Sequence, residues 1–151
     1  MTMLDHRDFL LHEFASMAPV APMQIDVTEI GDERIVLTAP LATHVNDKGN
    51  AFGGSLSSIM TLACWGLMTA KTRAASLTCD VYVAEVTTKY LKPVEEDLRV
   101  TAWFVEPELI EPFIAQLHTK GKARLELKAE TTLSDGTAAA TLTGRFVAFR
   151  K

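Results

Sequence analysis

Cysteine is scarce in this chain, basic clusters are missing, and no charged residue stands between Lys48 and Lys71. Each shortage bears on function. The two cysteines, Cys64 and Cys79, have neither metal-ligand spacing nor the pattern of a disulfide framework. The cysteines therefore point to no metal site, and both read as buried thiols; no tightly bound cofactor is expected of the chain either. Fifteen Lys and Arg against nineteen Asp and Glu give a net charge of −4. With no Lys/Arg cluster, the chain offers no electrostatic footprint for a nucleic-acid backbone. Asp5, His6, Arg7 and Asp8 fall where a secretory signal would need an unbroken apolar core. A cytoplasmic location is the expectation.

What is present suits one well-buried domain over residues 1–151. Hydrophobic residues at 48% and charged residues at 23% disfavour disorder. No internal repeat or linker interrupts the pattern.

The chain is organised around 45–75, a polar loop followed by a proline-free helix predicted over 55–70. Gly53 and Gly54 precede that helix, so a ligand can approach their backbone closely, and the first helical N–H groups lack intrahelical partners. Such an end attracts a phosphate, a carboxylate or the oxygen of a polarised carbonyl. The bland reading is that two glycines let the helix pack tightly on a sheet. The charge-free run also raises a membrane span. Ser55, Ser57, Ser58, Thr61 and Thr69 interrupt it and Gly66 weakens it, so the helix reads as buried all round within protein.

Around it, 4–17 reads as a short amphipathic helix, ended by Pro19 and Pro22. Alternation over 23–30 and an apolar run over 34–39, joined at Gly31-Asp32, predict a hairpin. A long strand follows over 80–91, with Tyr82, Ala84, Val86, Thr88 and Tyr90 assigned to one face. Leu98, Val100, Ala102 and Phe104 mark the next strand. Ile110, Phe113, Ile114 and Leu117 have helical spacing up to a stop at Gly121. Residues 123–132 alternate cleanly, and Ser134-Asp135-Gly136-Thr137 turns into a last strand over 138–149. About six antiparallel strands that must bury one hydrophobic helix predict an α+β fold, a curved sheet wrapped around that helix. The long second-half strands favour pairing with another copy, a homodimer or a dimer of dimers.

At Asn46–Leu56 the chain reads NDKGNAFGGSL, and here it resembles the hot-dog fold thioesterases, with an Asn-bearing loop and a Gly-Gly pair before a central helix. It is more closely similar to the thioesterase domain that in some bacteria follows a GNAT acetyltransferase domain. Trp65-Gly66, YLKPV at 90–94 and KGKARL at 120–125 extend the resemblance, and no acetyltransferase half is present. The resemblance implies hydrolysis of acyl-CoA or acyl-carrier-protein thioesters. By it, backbone amides at Gly53 or Gly54 bind the thioester carbonyl, Asn46 orients water or the carbonyl, and Phe52 replaces a histidine of many relatives. The carboxylate of the wider group would fall near Thr61, which cannot act unaided as a base near neutral pH.

Asp47 is then the nearest carboxylate: with Asn46 it prepares water, or the pair simply forms a turn. Thr61 assists that water or is an ordinary buried hydroxyl. Ser55 and Ser58 could donate hydrogen bonds to substrate or water, yet neither has an activating base nearby in sequence, and Ser55 reads first as a first-turn residue. His44 is close to the loop and could serve as a titrating base, but it is off the motif. Phe52 and Trp65 line an acyl pocket or pack the core. Two rival functions stay open: a non-catalytic acyl-thioester-binding module, and a dehydratase or hydratase, for which the loop supplies no matching histidine.

Overall fold

The computed structural model describes residues 2–151. Its first helix, α1 (Met3–Ser16), is fixed by a capping box: the Asp5 N–H donates to the Thr2 hydroxyl oxygen while the Asp5 carboxylate accepts from the Thr2 N–H. The hairpin starts later than its alternation predicts. Pro22 suits the first turn of a helix, and Ala21–Met23 form a 3-10 turn closed by Gln24 at φ 54°. Strands β1 (Asp26–Ile30) and β2 (Arg34–Ala39) follow. Then come α2 (Gly53–Ala74), β3 (Cys79–Tyr90), β4 (Leu98–Phe104), α3 (Ile110–Lys120), β5 (Lys122–Thr132) and β6 (Ala138–Arg150). Gly121, at φ 74°, stops α3 as its sequence position predicts.

One sheet contains all six strands in the order β1-β2-β4-β5-β6-β3, every neighbouring pair antiparallel. It packs against α2, whose Ile59, Met60, Ala63, Leu67 and Met68 join Ile35, Leu37, Val100, Leu127, Leu142 and Phe146 in a continuous core. Helix α1 approaches α2 at Gly66, where a Cβ would lie 3.4 Å from both Leu10 and Ile35. Glycine permits that close approach.

Helix α2 is not buried all round. Ser55, Ser57, Ser58, Thr61, Leu62 and Trp65 are half-buried and Gly54 is exposed. Hydroxyls that spoiled a membrane reading thus mark an open side of the helix.

The single-face assignment of β3 also fails. Ala84 is bulged out of the β3–β6 register between Val83 and Glu85, and an extra residue reverses the alternation beyond it. Tyr82 lies opposite Val147 with its ring 5.9 Å from that of Phe149, whereas Val86, Thr88 and Tyr90 lie opposite Gly144, Leu142 and Ala140 on the core side. Because β3 is an end strand, its other edge pairs with nothing among the described residues, and the strand leaves Tyr82, Val83 and Tyr90 exposed.

Candidate active site

The loop before α2 is built by its own polar groups. Asn46 Oδ1 accepts from the Lys48 N–H at 2.8 Å and the Asn50 N–H at 3.1 Å, and Gly49 supplies a positive φ of 81°. Val45 and Ala51 bridge across its neck. The Ala51 N–H donates to Val94 O and the Phe52 N–H to His44 O, which delivers Phe52 as the N-cap of α2.

Phe52 makes no side-chain cap. The Ser55 and Leu56 N–H groups turn back to Phe52 O, while those of Gly53 and Gly54 have no acceptor among the described residues. Two unpartnered amides and the positive end of the helix dipole therefore lie at the start of α2. Tyr90 Oη donates to Gly53 O at 2.9 Å, and the Phe52 ring lies over Gly54, where a Cβ would meet it at 2.5 Å. A cavity of about 280 Å³ opens beside Gly53, walled by Asn46, Asn50, Leu56, Tyr90 and Val94. This end of α2 can hold a carbonyl or carboxylate oxygen against mostly apolar walls.

The other expected residues are placed unequally. Asp47 lies in solvent, with its side chain 79% exposed and Lys48 Nζ at 3.0 Å. Thr61 Oγ1 donates to Ser57 O at 2.8 Å, so its proton is committed to the backbone. Ser57 Oγ meets Thr88 Oγ1 at 3.2 Å, tying α2 to β3. Ser58 lies half-buried one turn beyond Gly54. Trp65 Nε1 donates to Val81 O at 2.9 Å, and the indole walls a larger cavity, about 460 Å³, together with Phe9, Thr69, Arg73 and Cys79. Thr69 is sixteen residues beyond Gly53, roughly 24 Å along the helix at 1.5 Å per residue. The larger cavity is thus remote from the free amides of its own chain.

His44 and Ser55 form a contact that the sequence did not announce. His44 is 4% exposed, with Nδ1 2.9 Å from Ser55 Oγ and Nε2 2.8 Å from Met23 O. A carbonyl only accepts, so Nε2 carries the hydrogen, and in the neutral imidazole Nδ1 accepts from the Ser55 hydroxyl. The base that Ser55 lacks in the local sequence stands eleven residues upstream. The cysteines are inert by comparison. Burial pushes the Cys64 thiol far up, and burial also raises that of Cys79.

No helix is long and apolar enough to cross a membrane among the described residues. The family described as "Putative thioesterase (yiiD_Cterm)" matches residues 10–150. A protein of unknown function from Chlorobaculum tepidum TLS is similar at 27% identity, with 99% of this chain and 98% of that chain covered and a TM-score of 0.92. A putative thioesterase from Shewanella oneidensis is likewise similar at 27% identity, with 97% and 99% covered and a TM-score of 0.85. A Pseudomonas aeruginosa protein described as a probable thioesterase shares the fold at 20% identity, with 100% and 97% covered and a TM-score of 0.81. No curated protein matches the chain.

Proposed function

Since this chain belongs to the yiiD_Cterm putative thioesterase family and has the hot-dog fold, we propose that it hydrolyses acyl-CoA or acyl-carrier-protein thioesters at the start of α2. The observation that carries this reading is the pair of acceptor-free amides at Gly53 and Gly54 beside an apolar-walled cavity. As water attacks, the carbonyl oxygen becomes an oxyanion, and fixed amides stabilise that charge without reorganising. Phe52 and Tyr90 flank the amides and are exposed, which suits contact with the acyl or pantetheine chain. Asn46 holds the loop, and Ser58, Thr61 and Trp65 line the open side of α2 along which an acyl chain would run.

A homodimer belongs to the same reading. A free β3 edge carrying Tyr82, Val83 and Tyr90 is a poor surface to leave in water, and a second copy would cover it and wall the substrate groove. Light scattering should give twice the 16.6 kDa chain mass at micromolar concentration; a monomer mass would refute the pairing.

Gly53→Pro tests the amide. Phe52, at φ −60° and ψ 133°, already has the conformation proline demands of its predecessor. Proline is also tolerated in a first helical turn, so the change deletes one N–H and leaves the helix bonds. Thiol release should fall about 10²–10³-fold, the typical loss for one oxyanion donor. Unchanged turnover with intact circular dichroism would remove Gly53 from the site. A second reading, a non-catalytic binding module, is favoured by the exposed, Lys48-paired Asp47; tight acyl-CoA binding without thiol release would support it.

A further inference from the structure

We propose that Ser55 and His44 form the proton-accepting pair of this site, an assignment that rests on reading the α2 start as a thioesterase centre. Hydrolysis needs a group to take a proton from water, and the nearest carboxylate in sequence is engaged in solvent: Asp47 is exposed and paired with Lys48. Thr61 has its own proton bound to Ser57 O. His44 and Ser55 meet the geometric requirement for acid–base work, a hydroxyl and an imidazole nitrogen at 2.9 Å with the imidazole oriented by a third group.

Met23 O is that third group. By accepting from Nε2–H at 2.8 Å it holds the ring in one tautomer and leaves Nδ1 unprotonated toward Ser55. Ser55 occupies the first turn of α2, and helical side chains lean toward the N-terminus. Its Oγ therefore leans toward the end from which the Gly53 and Gly54 N–H groups emerge. His44 is sealed from solvent while Ser55 is partly exposed, so the hydroxyl is the route by which the imidazole reaches a water.

In the step this arrangement supports, water oxygen bonds to the thioester carbonyl carbon. A water proton passes to Ser55 Oγ as the Ser55 proton passes to His44 Nδ1. The oxyanion rests on the two amides. When the tetrahedral intermediate collapses, the C–S bond breaks and the thiolate receives the proton back from His44 through Ser55. Thioester and water become carboxylic acid and thiol, with imidazole and serine restored.

The same two bonds also tie the 3-10 turn, the loop and the helix together, so the test must separate chemistry from scaffolding. Steady-state thiol release from an acyl-CoA panel is measured for wild type, Ser55→Ala and Ser55→Thr, with melting temperatures alongside. Ser55→Ala should lower kcat about 10²–10³-fold with KM within about threefold, and Ser55→Thr, which keeps a hydroxyl, should restore most of the loss. His44→Ala should be reactivated by added imidazole, an effect that a purely structural histidine would not produce. Ser55→Ala turning over like wild type would overturn the pair while leaving thioester hydrolysis in place. An acyl ester on Ser55 in quenched wild type, seen by intact mass, would also overturn it, since the serine would then be a nucleophile. Wild type silent on every substrate would remove the hydrolase reading and this assignment with it.

Discussion

Replacing Gly144 by alanine should destabilise the protein although the backbone there does not demand glycine. A Cβ at 144 would lie 2.8 Å from Phe146 Cε1, 2.8 Å from Val86 Cγ1 and 3.3 Å from Glu85 O. Carbon atoms normally rest about 3.5–4.0 Å apart, so two overlaps of roughly an ångström must be relieved. Neither neighbour yields easily: Phe146 is fully buried and Val86 is β-branched and stiff at χ1. Overpacking of this kind costs about 1–3 kcal/mol, and the lost chain entropy of the unfolded state returns about 0.4–1 kcal/mol. The net loss should be up to ~2.6 kcal/mol, which for a chain of this size lowers Tm by up to ~10 °C. Urea unfolding followed by circular dichroism measures it, with an unchanged m-value. Gly31→Ala is the control, because its Cβ would meet nothing closer than Arg34 O at 3.9 Å; it should be neutral or slightly stabilising. Gly144→Ala melting with wild type would refute the packing argument. Adding Val86→Ala should relieve one of the two overlaps.

Ellman's reagent should titrate Cys79 slowly in the native protein and Cys64 only after denaturation, since burial raises both thiols and Cys64 is wholly enclosed. Fast reaction of two thiols would contradict the core described. His6 has its pKa lowered below 6.5, first by desolvation and then by the Arg73 charge. The unfolded chain then binds the proton more readily, so stability is full above pH 6.5 and falls as pH drops through the native value. His6→Gln should flatten the Tm profile on the acid side; an identical slope would assign the acid loss to other groups.

Much of the fold was legible because burial leaves a periodic trace. The alternation over 123–132 is the buried and exposed pattern of β5, and Gly121 stops α3 in the left-handed region as predicted. The motif NDKGNAFGGSL located the start of α2 because free amides and glycines are properties of the local chain. The orientation of Asp47 was not legible. Whether an Asn-Asp pair turns a loop or faces a helix depends on where the neighbouring backbone amides point, and here Asn46 Oδ1 is consumed by two of them.

By itself, the sequence determined which segments become helix and strand and which helix end lacks hydrogen-bond partners, since those follow from local periodicity and chain stereochemistry. Only the tertiary structure decided the rest. The bulge at Ala84 puts Tyr82 and Val86 on opposite faces of β3. His44 meets Ser55 and Met23, eleven and twenty-one residues away, only after the loop has folded back onto α2. Such contacts require chain reversals that bring distant groups within 3 Å, and no local spacing encodes the direction in which a side chain will then point.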